Sequence, residues 1–325
     1  MGNSENRRSD LKRVAVVGCG NVGAASAYAL LLTGTADELI LLDKDKDRLK
    51  GEVADLQHSV PVIRPTKISE GAWESAAQAD IVVIAAGAGS VPGESRLDLL
   101  ERNVKVTREI VDDLMKHGFA GIILMTTNPV DILAQAAQES SGLPVSHVIS
   151  SGTVLDTARL RSMIGDKLGI DARSVHAYII GEHGDSEIAA WSSATVGGVP
   201  LKSLADGAGI DLEAILDDVR KAAPRIVKTK GYTSVAIASC VARICEAILR
   251  DEKTIMPVST LVKGQYGIDE IYLSLPCVVG RNGVERVMTV PLDDEELEGI
   301  KASAYVLGTT LEKLRSLSDD KNGKE

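Results

Sequence analysis

A chain of 325 residues is long enough to bury one large core or two modest ones. Its composition, 44% apolar and 25% charged, is that of an ordinary globular protein; with 3% aromatics, the core has to be packed from Ala, Val, Ile and Leu. A net charge of −10 argues against nucleic-acid binding, which needs a basic surface, but leaves room for a small anion held by a few arginines.

In chain order, residues 1–11 read as a polar, disordered arm. The arm has no apolar stretch of the kind that directs secretion, and no segment is long and apolar enough to span a membrane. Cys19, Cys240, Cys245 and Cys277 form neither a CxxC pair nor a zinc pattern, so no metal is expected. Reduced cysteines in a cytoplasmic protein are the natural reading. Strands are expected at 13–18, 38–43, 80–87, 121–128 and 147–152, with helices at about 21–32 and 45–58 and a helical pattern through Leu99, Val106, Ile110 and Leu114. Uniformly apolar strands separated by helices predict an α/β fold, a Rossmann-type doubly wound parallel sheet over 12–150. The second half, 151–316, reads as a mixed α+β substrate domain that completes a cleft. It has a helix near 153–169, a strand at 175–181 and a strand-like stretch at 193–201. A long helical region follows at 211–250, then late strands in EIYLSLPCVVG and VERVMTV, and a last helix through Leu297 to Leu314. Residues 317–325 read as a disordered tail.

Gly18-Cys19-Gly20-Asn21-Val22-Gly23 fits G-x-G-x-x-G and lies between a buried strand and a helix, the context that the motif requires. Gly18 permits the tight turn, Gly20 lets the backbone approach a pyrophosphate, and Gly23 lets helix and strand pack closely. Asp43 closes the next strand, where a carboxylate hydrogen-bonds the adenosine ribose and repels a 2′-phosphate. NAD is therefore expected in preference to NADP. Further on, three segments carry ionisable groups suited to a carboxylate ligand. They are Arg96 in GESR, Asp156 and Arg159 at i, i+3 in LDTARLR, and His183 in GEHGDS.

These segments, together with AAGAGSVPGESRLDLLERN, TTNPVDIL, SSGTVLDTARLR, VHAYIIGEHGDSE, KGYTSVAIA and GRNGVERV, resemble the L-lactate/malate dehydrogenase family over nearly the whole chain. Within the family, the bacterial L-lactate dehydrogenases are the most similar. The resemblance implies an NAD-dependent L-2-hydroxy-acid dehydrogenase that interconverts pyruvate and L-lactate. It implies that His183 exchanges a proton with the keto oxygen and that Asp156 orients the imidazole. Arg159 would grip the substrate carboxylate, and Arg96 would close over the carbonyl on a mobile loop. Asn128 would hydrogen-bond the reacting oxygen, Thr233 would line the pocket, and Ile237 would press on the nicotinamide. Val22, Arg48, Gly87, Ala88 and Ser151 would complete the cofactor site. A binding protein that keeps the dinucleotide fold without the chemistry would lack His183, Arg159 or Asp156, and this chain has all three.

One position departs from the family. Six residues before Arg96, where lactate enzymes carry Gln and malate enzymes Arg, stands Ser90. A second substrate carboxylate buried there would have no cation, a cost of several kcal/mol. Pyruvate therefore ranks first, a bulkier 2-keto acid second and oxaloacetate third. Arg161 and His176 match the positions where relatives bind fructose 1,6-bisphosphate between subunits, and the family implies a homotetramer.

Overall fold

The computed structural model describes residues 11–89 and 93–322, apart from the side chains of 317–322; the expected N-terminal arm lies outside the described residues up to residue 10. Strand β1 (Arg13–Val17) is a β-branched run with Val14, Ala15 and Val16 fully buried, as a central strand covered on both faces requires. It feeds α1 (Asn21–Thr33), which Gly34 ends in the left-handed region at φ 65°. There follow β2 (Glu38–Leu42), α2 (Lys46–Ile63), β3 (Lys67–Glu70), the short α3 (Trp73–Ala76) and β4 (Ile81–Ile84). Next come α4 (Arg96–Lys116), β5 (Ile122–Met125), α5 (Val130–Ser141), β6 (Val148–Ser150) and α6 (Val154–Leu168).

Strands β3-β2-β1-β4-β5-β6 are parallel neighbours in that order. The chain starts in the middle at β1, winds out to β3, then crosses back to β4. That reversal opens a crevice beyond the carboxyl ends of β1 and β4, where α/β sheets bind ligands. The expected doubly wound sheet is therefore present, with β3 as an added edge strand that its polar sequence KISE concealed.

The second half differs from its expectation in four places. The stretch 175–181 is two short strands, β7 (Val175–His176) and β8 (Ile179–Ile180), which belong to different small sheets. Strand β8 pairs with β9 (Ile188–Ala189), and β7 pairs with β10 (Thr195–Val196). The latter forms a hairpin with β11 (Val199–Pro200) across Gly197 and Gly198, both at positive φ. The long helical region expected at 211–250 is two helices, α8 (Leu212–Lys230) and α9 (Val235–Leu249), preceded by a separate α7 (Leu201–Ala208); Gly231, at φ 91°, ends α8. Strand β12 (Thr254–Lys263), hidden from sequence by Pro257 and its polar residues, pairs with β13 (Asp269–Gly280), which pairs with β14 (Gly283–Val287). These three antiparallel strands add to the edge of β6 through Ser259 opposite Ser150, so one nine-stranded sheet runs through both halves. Helix α10 (Asp294–Asn322) extends through residues expected in the disordered tail, where no glycine or proline breaks it before Gly323.

The main core lies on both faces of the large sheet, and a second cluster around Leu160, Ile179, Trp191 and Leu216 joins α6 to α8. Among the described residues no helix is long and apolar enough to cross a membrane.

Candidate active site

The glycine turn after β1 is built from close approaches. A Cβ on Gly18, at φ 93°, would stand 2.4 Å from the Ala86 amide nitrogen just after β4, and one on Gly23 would stand 1.8 Å from the Gly18 oxygen. A Cβ on Gly20 would meet no heavy atom within 4 Å. Gly18 and Gly23 are thus required by packing, whereas Gly20 faces open space. Helix α1 begins there with no side-chain cap and no acid in its first turn, so its first amides remain for an anion. At the end of β2 the Asp43 carboxylate accepts from the Cys19 amide at 2.6 Å and the Asp45 amide at 2.9 Å, which fixes it beside the turn. Exposed Arg48 lies in the first turn of α2, whose cap is Asp45. After β4, Ala88 donates its amide to Asn103 Oδ1 of α4 at 2.6 Å, and Gly87 lies against Thr127. An open cradle, a free helix start and a fixed carboxylate fit a dinucleotide.

The ionisable residues converge from two elements. Asp156, in the first turn of α6, accepts from His183 Nδ1 at 2.6 Å on one oxygen and from Arg159 Nη1 at 2.6 Å on the other. Asp156 is 3% exposed, while the His183 side chain is 24% exposed, so the imidazole bridges a buried anion and an open space. Burial opposes charging the imidazole, but Asp156 outweighs it by charge and hydrogen bond and lifts His183 to about 9. For Asp156 burial works against the anion, yet His183 and Arg159 hold the carboxyl below its usual range.

His183 sits in the loop between β8 and β9, and its backbone is pinned on three sides. Gly181 exchanges both backbone hydrogen bonds with Ser274 of β13, at 2.9 and 3.0 Å. The Glu182 amide donates to Ser303 Oγ of α10 at 2.7 Å, and the His183 amide donates to Asp131 Oδ2 of α5 at 2.9 Å. Burial pushes the Asp131 carboxyl up to about 6, against the His183 amide that favours its ionised form. Asp131, Ser274 and Ser303 escape sequence reasoning, although Asp131 stands within the TTNPVDIL segment. They act on backbone amides far away in sequence, which no spacing rule reports.

Exposed Asn128 follows β5, three residues before Asp131. Ser151 is buried just beyond β6 and donates its amide to the Met125 oxygen. Thr233 and Ile237, both half-buried, stand at the start of α9, which packs on α1 and on α6 and so joins the glycine turn to the Asp156 helix. Exposed Arg96 is the first residue of α4, behind a Ser95/Asp98 capping box; among the described residues no hydrogen bond or ion pair ties it to His183, Asp156 or Arg159. Arg102, one helical stretch further on, holds both Glu94 oxygens and the Gly89 carbonyl, so it staples the two flanks of the loop. Ser90 lies outside the described residues. Arg161 turns away from Asp156. Its Nε donates to the Ala177 oxygen at 3.0 Å, and its guanidinium lies 5.1 Å above the Tyr178 ring, next to exposed His176.

Asp156, His183 and Glu187 form a group of three possible metal donors within 4.8 Å of one another. Both Asp156 oxygens already accept from His183 and Arg159, which suits proton transfer. A cavity of about 540 Å³ between α4, α5 and α10 lies elsewhere, lined by residues such as Arg102, Arg108, Ile132 and Leu311 and by none of the acid–base residues.

Residues 12–150 match the family model described as lactate/malate dehydrogenase, NAD binding domain, and 153–317 match its alpha/beta C-terminal domain. The chain is 45% identical to L-lactate dehydrogenase of Priestia megaterium, over 92% of this chain and 95% of that one. It is 44% identical to L-lactate dehydrogenase of Acetivibrio thermocellus, over 93% and 97%. Among solved structures, a minor L-lactate dehydrogenase from Enterococcus mundtii in a ligands-bound form superimposes with a TM-score of 0.92 at 38% identity, covering 94% of this chain and 99% of that one. The chain belongs to the lactate/malate dehydrogenase family and carries its NAD binding domain.

Proposed function

We propose that the protein is an L-lactate dehydrogenase that reduces pyruvate with NADH and runs in reverse with L-lactate and NAD. The observation that carries this reading is one buried carboxylate, Asp156, bonded at once to His183 and Arg159. The cofactor, when bound, supplies or takes up the hydride. Because Nδ1 of His183 is engaged by Asp156, Nε2 is the nitrogen that gives a proton to the keto oxygen and recovers it from the alcohol. The imidazolium is held through neutral pH by Asp156, so the acid is ready before a substrate arrives.

Arg159 uses one guanidinium N–H on Asp156, and the fork has others with which to pair a substrate carboxylate. Asn128 donates to the reacting oxygen. Arg96 comes over the carbonyl when the loop closes, and water leaves with that closure. Thr233 bounds the pocket, and Ile237 supports the nicotinamide face. Gly18, Gly20, Val22, Gly23, Asp43, Arg48, Gly87, Ala88 and Ser151 hold the dinucleotide.

Ser90 faces the variable end of the substrate in this reading. As a residue smaller than Gln, it favours a bulkier 2-keto acid as the second choice. The deciding measurement is steady-state kinetics with NADH on pyruvate, oxaloacetate and 2-ketoisocaproate, with and without fructose 1,6-bisphosphate. Pyruvate should have the highest kcat/KM; a higher value for either competitor reassigns the substrate. Ser90→Arg should raise the oxaloacetate-to-pyruvate ratio of kcat/KM by about tenfold or more, the worth of one charge-assisted hydrogen bond. No gain would remove Ser90 from the substrate pocket.

Arg161 and exposed His176 would pair with their two-fold copies to bind fructose 1,6-bisphosphate in a cytoplasmic homotetramer. The support is that Arg161 lies beside β7, turned out from the active site. Sedimentation of a tetramer and activation by the bisphosphate at sub-saturating pyruvate are the expected results.

A further inference from the structure

Glu187 is a buried titratable group that the acid–base reading leaves without a task. It closes the same β8–β9 loop that carries His183, is 3% exposed, and its Oε1 has no hydrogen-bond partner among the described residues. The backbone fixes it there. Its amide donates to the Gly184 oxygen at 3.2 Å, and its carbonyl accepts from Arg220 of α8. One Glu187 carboxylate oxygen, one Asp156 oxygen and one His183 ring nitrogen all lie within 4.8 Å of one another. A side chain placed only for packing would not bury a carboxyl with an unmet oxygen beside another carboxylate.

We propose, resting on the lactate dehydrogenase reading above, that Glu187 is a positioning residue for the His183 proton: a second buried carboxyl beside the imidazole whose negative charge, once its own proton is lost, helps Asp156 keep the ring protonated.

The charged surroundings set the sign. Around Glu187 stand Asp156 and Arg159 of α6, Arg220 of α8 and His183 of its own loop. Burial and Asp156 push the Glu187 carboxyl up, and His183, Arg220 and Arg159 pull it back, to a balance at about 8. His183 faces Asp156, Asp131 of α5 and Glu187, all of which favour its charged form against burial. Cys240 of α9 faces Asp156 and Arg159, but burial pushes its thiol to about 12, so it stays neutral. At neutral pH Glu187 therefore holds its proton and does not compete with Asp156 for the imidazolium or repel an anionic substrate. As pH rises it ionises, and the new charge delays loss of the His183 proton. Two groups this close titrate as a pair, so neither follows a single-site curve.

The test is the His183 ring titration by NMR, with the resonance assigned from the H183Q variant. It is measured in the full-length wild-type protein and in Glu187→Gln, beside the pH profile of kcat/KM for pyruvate reduction, each profile normalised to its own maximum. Wild type should give a two-step curve. In E187Q the His183 midpoint and the alkaline limb should both fall by about two pH units, the size expected for two charges about 5 Å apart at an effective dielectric constant of about 20. Unchanged midpoints in E187Q overturn the proposal. If E187Q does not fold, a single-site His183 curve in wild type overturns it equally. Absence of pyruvate reduction would remove the functional reading alone, because the ring titration needs no substrate.

Discussion

The two halves of the chain make their sites from different materials. On the parallel side, the cradle is backbone: two glycines demanded by contact, one that faces open space, the bare start of α1, and a single carboxylate, all between residues 18 and 43. Beyond β6 the site is ionisable side chains of α6 and the β8–β9 loop, held by residues as distant as Asp131, Ser274 and Ser303. Backbone features that recognise a phosphate come from adjacent residues, because a turn is local. A charged pair held in low dielectric needs supports from many elements, because each backbone amide around it must be fixed or satisfied.

That contrast can be broken most severely at His183. His183→Gln should lower kcat for pyruvate reduction by about 10²- to 10⁴-fold while NADH binding, measured by fluorescence, stays near wild type. A parallel loss of NADH affinity would mean that the two halves are not functionally separable. Arg159→Gln should raise the KM for pyruvate by about 10- to 100-fold, the equivalent of one or two charge-assisted hydrogen bonds, and leave the KM for NADH unchanged.

The glycines sharpen the comparison within one turn. Gly20→Ala adds a Cβ to open space, so the urea midpoint should not move while NADH affinity falls about tenfold. Gly23→Ala drives a Cβ to 1.8 Å from the Gly18 oxygen, and it should cost about 1–3 kcal/mol of stability in the same urea experiment. Equal effects of the two variants on stability would show that the cradle is not open at Gly20.

The smallest effect is on pH. A histidine raised to about 9 is protonated at neutral pH and loses its proton as pH passes that value. Pyruvate reduction, which needs the charged imidazole, should hold through neutral pH and fall as pH rises through about 9. Lactate oxidation, which needs the neutral ring, should rise over the same interval. A fall in reduction already complete by about pH 7, near an unperturbed histidine, would show that Asp156 does not set the balance.

The sheet was legible in sequence wherever a strand is buried on both faces, as in RVAVV, ELILL, IVVI and IILM. It was illegible where tertiary contacts overrode composition. KISE pairs with only one neighbour at the sheet edge, and TIMPVSTLVK has its apolar run cut by Pro257, Ser259 and Thr260. The reading of 175–181 as one strand failed because the chain changes sheets within it, which hydrophobic pattern does not record. Asp156, Arg159 and His183 stood out from their segments, and the structure joins them through hydrogen bonds. Asp131, Arg102 and Glu187 did not, because their roles depend on which amide, carbonyl or carboxylate lies across the fold.

The junction at Ser150 and Ser259 has a consequence for how such a chain can be assembled. A fragment ending at Ser150 would leave β6 as a bare edge, with unpaired amides and carbonyls and the buried side chains of Val148 and Ile149 beside them. On a ribosome, the first half reaches that state before β12 exists. The parallel sheet therefore waits, with one sticky margin, until more than a hundred further residues have been synthesised. An isolated 12–150 fragment should be prone to aggregate through that margin, and adding 254–287 in trans should cap it.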